Sequence, residues 1–208
     1  MKEYPKIETL FNRDEKFKLT SEVRSPVFAT IKSWVVTEKI DGTNIRINLD
    51  ENDVVTFNGR TDNAQIPAEL AIYIVKEFTA EKLKVLRKDE DKVSITLYGE
   101  GYGAGIQKGG GDYRKDKGFI LFDVLIADKY WLDDEAVTEI ADKLGIPRVP
   151  ILGIMSFEEL VSYVKQGFKS KCAETERNAE GIVARPLEPL FDKRLHRVII
   201  KLKEKDFT

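Results

Sequence analysis

Two residue types that carry much enzyme chemistry are almost missing from this sequence. Its 208 residues include one cysteine, Cys172, and one histidine, His196. A single thiol cannot close an internal disulfide and fits no cysteine-based metal spacing. An intracellular, cytoplasmic setting is therefore expected. One histidine excludes His-rich metal centres. A Ser-His-Asp triad would have to use His196, and no G-x-S-x-G elbow supplies its serine. The expected place for His196 is an exposed strand position. No Gly-Lys dipeptide occurs, which removes the P-loop phosphate cradle. The glycines at 99, 101, 103 and 105 do not fit the dinucleotide fingerprint G-x-G-x-x-G.

Long apolar runs are also lacking. No stretch approaches the ~18 residues that would span a bilayer, and the first thirty residues hold no secretory-type run. Neither sign of charge dominates: 34 Lys and Arg face 36 Asp and Glu, a formal net charge of −2. That balance argues against indiscriminate, salt-driven binding to nucleic acid. A local basic groove remains compatible with it, because charge acts through its distribution. From Arg185 to Lys205 there are seven cations (Arg185, Lys193, Arg194, Arg197, Lys201, Lys203, Lys205) against three acids. This stretch is either such a groove or an ordinary solvated strand and loop.

What is present describes a globular chain, 42% apolar and 34% charged, large enough for an ample core without disulfides. Residues 1–33 give no clear pattern. A strand is expected over Trp34–Glu38, followed by a turn at Asp41-Gly42. Ile45, Ile47 and Leu49 alternate with Arg46, Asn48 and Asp50, the period of a half-buried strand. Further strands are predicted over Val54–Phe57, Val93–Tyr98 and Phe119–Ile126, the last fully buried. Helical spacing runs from Pro67 to Arg87. Asp133 can cap a helix that Gly145 stops, so the acidic run Asp133-Asp134-Glu135 is a helix start. Ser156 and Glu159 have capping-box spacing before a helix that Gly167 ends. Late strands are expected over Glu180–Arg185 and Arg197–Lys203. Strands and helices do not alternate strictly, so the expectation is an antiparallel α+β fold with flanking helices, in a single domain.

One segment points to chemistry: Glu38-Lys39-Ile40-Asp41-Gly42-Thr43-Asn44. It places a lysine at a strand end before a tight turn. A protonated amine is no nucleophile, but neighbouring cations and a desolvated pocket favour the free base. Such an amine can attack the α-phosphate of a nucleotide. The plain alternative is an Asp-Gly hairpin turn. The segment has company in a fixed order: Asn58-Gly59-Arg60-Thr61, Glu100 after a strand, Phe-Ile-Leu-Phe-Asp from Phe119, Glu180-Gly181-Ile182-Val183, and Lys201-Leu202-Lys203. The last pair is spaced i, i+2, so both lysines share a strand face. Singly, each block has an ordinary reading as surface charge or core. Together they are few and ordered.

These blocks resemble the covalent nucleotidyltransferases, the polynucleotide ligases and mRNA capping enzymes, and within them the ATP-dependent RNA ligases of the bacteriophage T4 RNA ligase 2 type. The resemblance runs from about Trp34 to Lys203. It implies an ATP-grasp-like adenylylation domain and a role for each matching position. Lys39 would carry AMP. Asn44 would order the phosphates or a metal-bound water. Arg60 would contact the nucleotide and the strand end. Glu100 would hold the ribose hydroxyls. Phe119 would stack on adenine, with Val183 on the other side. Glu180 would lie at the metal, Mg²⁺ or Mn²⁺, and Lys201 and Lys203 at the α-phosphate. Glu38, beside the lysine, is counted with the nucleotide-binding residues.

The partners so implied are ATP and nucleic acid, chiefly RNA ends or nicks. The family usually adds a C-terminal OB-fold or helical module, and none is expected within residues 1–208. A homodimer or a helper protein is the expected substitute for that surface. A minimal DNA ligase, a GTP-using guanylyltransferase and a non-catalytic nucleic-acid-binding module are the rival readings. The segment 99–111, with seven of the fourteen glycines, is either a mobile loop presenting Gln107, Lys108, Tyr113 and Arg114 to nucleic acid or a flexible connection.

Overall fold

The computed structural model describes residues 1–88 and 90–207. In chain order the strands are β1 (Glu8–Thr9), β2 (Phe11–Arg13), β3 (Leu19–Val23), β4 (Trp34–Lys39), β5 (Thr43–Leu49), β6 (Val55–Asn58), β7 (Ile95–Gly103), β8 (Lys117–Ile126), β9 (Tyr130–Trp131), β10 (Ile151–Met155), β11 (Gly181–Pro186) and β12 (Ile200–Lys203). The helices are α1 (Pro26–Thr30), α2 (Ala68–Glu77), α3 (Ala80–Lys84), α4 (Asp134–Leu144) and α5 (Phe157–Gln166). The mixed, antiparallel α+β class expected from the sequence is the one observed. The chain divides into two compact units. One comprises Met1–Tyr4 and Asp41–Val149, the other Pro5–Ile40 and Pro150–Thr208.

The first unit is built on an antiparallel sheet of order β6-β5-β7-β8-β9. One face of this sheet carries Ile45, Ile47, Leu49, Leu97, Phe119, Leu121 and Val124, which form a core with Leu70, Ile74 and Phe78 from the α2 region and Val137 and Ala141 of α4. The helix expected over 67–87 is two helices, because the Thr79 hydroxyl accepts from Lys82 N at 3.2 Å and starts a new one. Helix α4 matches expectation: Asp133 accepts from Ala136 N at 2.9 Å, and Gly145 ends the helix with φ 62°.

The other face of this sheet corrects the half-buried reading of β5. Arg46 is 0% and Asn48 7% exposed, and Thr96 and Asp123 are likewise buried. Residues 1–4 lie over these polar groups. Tyr4 Oη donates to Asp123 Oδ2 at 2.8 Å, Tyr98 Oη donates to Lys2 O at 2.7 Å, and Arg46 Nη1 donates to Met1 O at 3.3 Å. Arg46 also donates from Nε to Gly59 O and from Nη2 to Asp62 Oδ1, both at 2.8 Å. A buried guanidinium needs this many acceptors. The covering segment lies in the N-terminal region that gave no pattern, so alternation alone could not show it.

The second unit has a sheet of order β1-β12-β11-β4-β10, antiparallel except for the β1–β12 pair, and a β2–β3 hairpin. Its core gathers Trp34, Val36, Ile182, Ala184, Ile200 and Leu202 from the sheet with Leu160 and Val164 of α5. The capping box is present: Glu159 N donates to Ser156 Oγ, and Ser156 N donates to Glu159 Oε2 at 2.7 Å. Strand β10 is a sheet edge that the sequence reading did not find.

Candidate functional site

Strand pairing in the second unit explains why three distant sequence blocks meet. Gly181 of β11 lies opposite both Lys39 of β4 and Lys203 of β12. The central strand therefore begins beside the ends of its two neighbours, and Glu180, just before it, falls between two lysines. Lys39 Nζ lies 2.6 Å from Glu180 Oε2, and Lys203 Nζ lies 2.5 Å from Glu180 Oε1. Gly181 is required here. Its φ is 152°, and a Cβ would lie 2.0 Å from Leu202 O. One register step along, Val183 pairs with Thr37 on one side and Lys201 on the other. Cross-strand partners and i, i+2 neighbours share a face. So Lys39, Thr37, Val183, Lys201 and Lys203 lie on one face of this sheet, opposite the core.

The electrostatics of the trio are those of a buried acid held ionised by two cations. Burial alone would raise the Glu180 pKa. The charge of Lys39 and the hydrogen bonds from Lys203 and Lys39 outweigh it and hold the carboxyl below the ordinary glutamate value. An acid clamped between two ammonium groups keeps their side chains extended toward one point. It also marks where a more highly charged anion would find cations ready.

In the first unit, Asn44 of β5 pairs with Glu100 of β7, which pairs in turn with Ile120 of β8. These three therefore share the polar face. Asn44 Oδ1 is buried and has no hydrogen-bond partner among the described residues, the condition of an acceptor waiting for a ligand or water. Arg60 is exposed, two residues after β6 and directly after the Gly59 whose carbonyl Arg46 holds. Gly42 owes its identity to close approach: a Cβ would lie 2.3 Å from Gly101 O and 2.8 Å from Glu100 Cγ. The chain bends at Asp41-Gly42 between β4 and β5 as expected, and glycine there also admits the neighbouring strand.

The sequence profile of the RNA ligase family matches residues 32–203. The chain belongs to the RNA ligase family. No curated protein matches the sequence significantly. Among solved structures, a Naegleria gruberi RNA ligase in its apo form superposes with a TM-score of 0.66 at 20% identity, covering 97% of this chain and 60% of that one. A variant of the same organism's RNA ligase with ATP and manganese gives 0.65 at 20% identity, covering 95% and 59%. A third, also with ATP and manganese, gives 0.64 at 19%, covering 98% and 64%. At these identities the likeness is one of fold, and this RNA ligase family member spans about 60% of those chains.

Two expected site residues are placed elsewhere by strand parity. Glu38 follows Thr37 and precedes Lys39, so it points to the opposite face of β4. It is 1% exposed, and its carboxylate accepts from Ser170 Oγ and from Lys171 N at 2.8 Å. It anchors the loop after α5 and does not share Lys39's face. Phe119 is 0% exposed and packs edge-on to Phe78, with ring centroids 5.1 Å apart, in the helical core of the first unit. The cause is a bulge. Tyr98 pairs with Asp123 but Gly99 pairs with Leu121, so Phe122 is the extra residue. Without it Phe119 would share Glu100's face; with it, Ile120 does. Ile120, missed in the sequence, is the apolar side chain beside Glu100.

His196 lies on an exposed turn, 3.3 Å from Asp192, and not in a strand. Cys172 is partly buried, and desolvation with the nearby Glu38 charge pushes its thiol up to about 12, which makes it a poor nucleophile. Among the described residues no group of three or more His, Cys, Asp or Glu could hold a metal. Glu180 is nevertheless a suitable single ligand. Mg²⁺ and similar ions keep several waters and often take one carboxylate together with substrate phosphates. No helix among the described residues is long and apolar enough to cross a membrane.

Proposed function

We propose that this chain is an ATP-dependent RNA ligase of the T4 RNA ligase 2 type, joining 3′-hydroxyl and 5′-phosphate ends through lysyl-AMP on Lys39. The observation that carries the reading is the trio Lys39–Glu180–Lys203, assembled from three adjacent strands. Membership of the RNA ligase family supports it.

In the first step the Lys39 pair with Glu180 opens and the ammonium loses its proton to solvent. The Nζ lone pair then attacks the α-phosphorus of ATP. An N–P bond forms, the bond to the pyrophosphate oxygen breaks, and a second Nζ proton passes to solvent, leaving the phosphoramidate. Lys203, and Lys201 on the same strand face, stabilise the charge gathering on the phosphate oxygens. A divalent ion at Glu180 would supply further charge neutralisation. In the second step the 5′-phosphate of a strand attacks lysyl-AMP and frees the amine, giving a 5′–5′ pyrophosphate-linked adenylate. In the third, a 3′-hydroxyl attacks that adenylylated end, a phosphodiester forms and AMP leaves. Asn44 and Glu100 are assigned to nucleotide oxygens, Arg60 to the nucleotide and the strand end, and Val183 and Ile120 to the base. Glu38 and Phe119 take no part.

The test is intact-mass measurement after incubation with Mg²⁺ or Mn²⁺ and either ATP or GTP. The expected result is a gain of one AMP with ATP alone, absent in Lys39→Ala. A gain of GMP would redirect the assignment to guanylyl transfer. No adduct with either nucleotide, on folded protein shown to be free of pre-bound AMP, would sink the enzyme reading.

A further inference from the structure

Three turns in this chain, Asp14–Lys18, Asp50–Val54 and Asp192–His196, share one hydrogen-bond pattern. In each, the opening aspartate donates its backbone N–H to the carbonyl of the last residue and accepts, at its own carbonyl, from the residue before that. Its carboxylate accepts from the amides of the third and last residues. For Asp14–Lys18 these four distances are 2.9, 2.9, 2.9 and 2.8 Å. For Asp192–His196 they are 2.8, 2.9, 2.8 and 2.9 Å. Asp50–Val54 repeats the pattern. The fourth residue is left-handed in all three: Phe17 at φ 60°, Asp53 at 65° and Leu195 at 61°.

Glycine, asparagine and aspartate suit that conformation, and a bulky side chain strains it. Asp53 is such a residue, and its carboxylate also pairs with Lys84, Arg87 and Lys92. Phe17 is different. It is 80% exposed, so a phenyl ring stands on a strained backbone without the burial that normally favours it. Folding alone gives no reason for that ring. The turn is also held in place. Arg13 Nη1 donates to Phe17 O at 2.8 Å, and Arg13 Nη2 donates to Asp206 Oδ1 at 2.7 Å. One guanidinium thus fastens the turn to the segment three residues beyond Lys203, within the same compact unit. Lys16 and Lys18 flank the ring and are exposed. Of the turn's two acids, Asp14 turns its carboxylate onto the turn amides, which leaves the two lysines against Glu15.

We propose that this turn is a stacking platform for an unpaired RNA base: the Phe17 ring takes the base, and Lys16 and Lys18 take the neighbouring phosphates. The choice of RNA rests on the ligase reading above. An aromatic face with cations beside it fits a single strand, whose bases have a free π-face and whose backbone is anionic. A base stacked inside a duplex has no such face to offer. The turn at Leu195 is the internal control. It falls in the connection from Pro186 to Ile200, at the end of β11 away from Gly181 and Lys203. Leu195 is 81% exposed in the same strained conformation but has no π-face.

The experiment measures dissociation constants by fluorescence anisotropy for a short 5′-phosphorylated single-stranded RNA and for a fully paired duplex of the same sequence. Wild type is compared with Phe17→Asn, Phe17→Trp, Leu195→Asn and the double variant Lys16→Gln/Lys18→Gln, with thermal unfolding midpoints for each. Asparagine suits the left-handed position, so both Asn variants should keep a midpoint no lower than wild type. Phe17→Asn should lose about 10-fold in affinity for the single strand, and less for the duplex. Phe17→Trp should restore binding, and Leu195→Asn should bind as wild type does. The lysine variant should lower the slope of log affinity against log salt by about 1. The platform is overturned by unchanged single-strand binding in Phe17→Asn, by an equal loss on the duplex or in Leu195→Asn, by failure of Trp to rescue, by an unchanged salt slope, or by wild type that binds no RNA. Binding is read without AMP transfer. Wild-type protein that holds RNA through Phe17 yet takes no AMP would refute the Lys39 reading and leave the platform standing.

Discussion

The two sheets handle polar residues in opposite ways. In the second unit, charged groups gather at strand ends on a face turned from the core, and Lys39, Glu180 and Lys203 remain 21%, 12% and 25% exposed while paired. In the first unit, polar groups lie mid-strand and are covered, with Arg46 at 0% and Asp123 at 0% exposure. Buried polar groups that satisfy one another specify a register and a lid. A charged trio left within reach of solvent can exchange partners. Arg46 is architecture, whereas Glu180, in the proposed reaction, has to let go of Lys39.

Three substitutions would break or sharpen this contrast. The largest effect is expected at Glu180. Glu180→Gln should slow AMP transfer by about 10²-fold, the order seen when a charge-positioning group is lost. It should also alter acid stability. Because the folded-state pKa lies below the ordinary value of 4.5, the carboxylate contributes stability that is full above that value and is lost as pH falls through the folded pKa. Urea titrations should thus show wild type more stable than Glu180→Gln at pH 7, with the gap closing below about pH 4.5. A constant gap would contradict the pairing.

Arg46→Ala should act oppositely. Two backbone carbonyls lose a buried donor and a cavity opens, so a loss of about 2–4 kcal/mol in urea unfolding is expected. Surviving protein should still transfer AMP at near wild-type rate at a temperature where it stays folded. The smallest effect belongs to Asp62→Asn. Asp62 is 72% exposed although its partner Arg46 is buried, and exposed carboxylates contribute about 0–1 kcal/mol. A cost there as large as that of Arg46→Ala would overturn the view that Arg46 serves the backbone.

Much of this arrangement is legible locally. The Asp133 cap, the Ser156–Glu159 box, Gly145, and the strands bearing Lys39 and Lys203 follow from short-range spacing, because caps and period-two alternation are local physics. The trio was foreseeable as a set of residue types, though not as a geometry. What escaped depends on partners far along the chain. The face of Phe119 turns on one bulged residue, since a one-residue slip exchanges the faces of everything beyond it. The burial of Arg46 depends on residues 1–4. Glu38 looked like part of the nucleotide site because it adjoins Lys39, yet adjacency along a strand means opposite faces. The segment 99–111 reads from composition as a mobile loop or a flexible connection, yet residues 99–103 belong to β7, and the hydrogen bonds inside 104–114 cannot be read from composition.

The register that sets Lys39 opposite Gly181 has a consequence in time. During synthesis Lys39 leaves the ribosome well over a hundred residues ahead of Glu180 and Lys203. Residues 41–149, contiguous in the chain, can fold while the remainder is still being made. Strand β4 must wait for β10 on one side and β11 on the other. The lysine therefore spends the growth of the chain without its counter-ion, and the trio can form only after β12 has emerged.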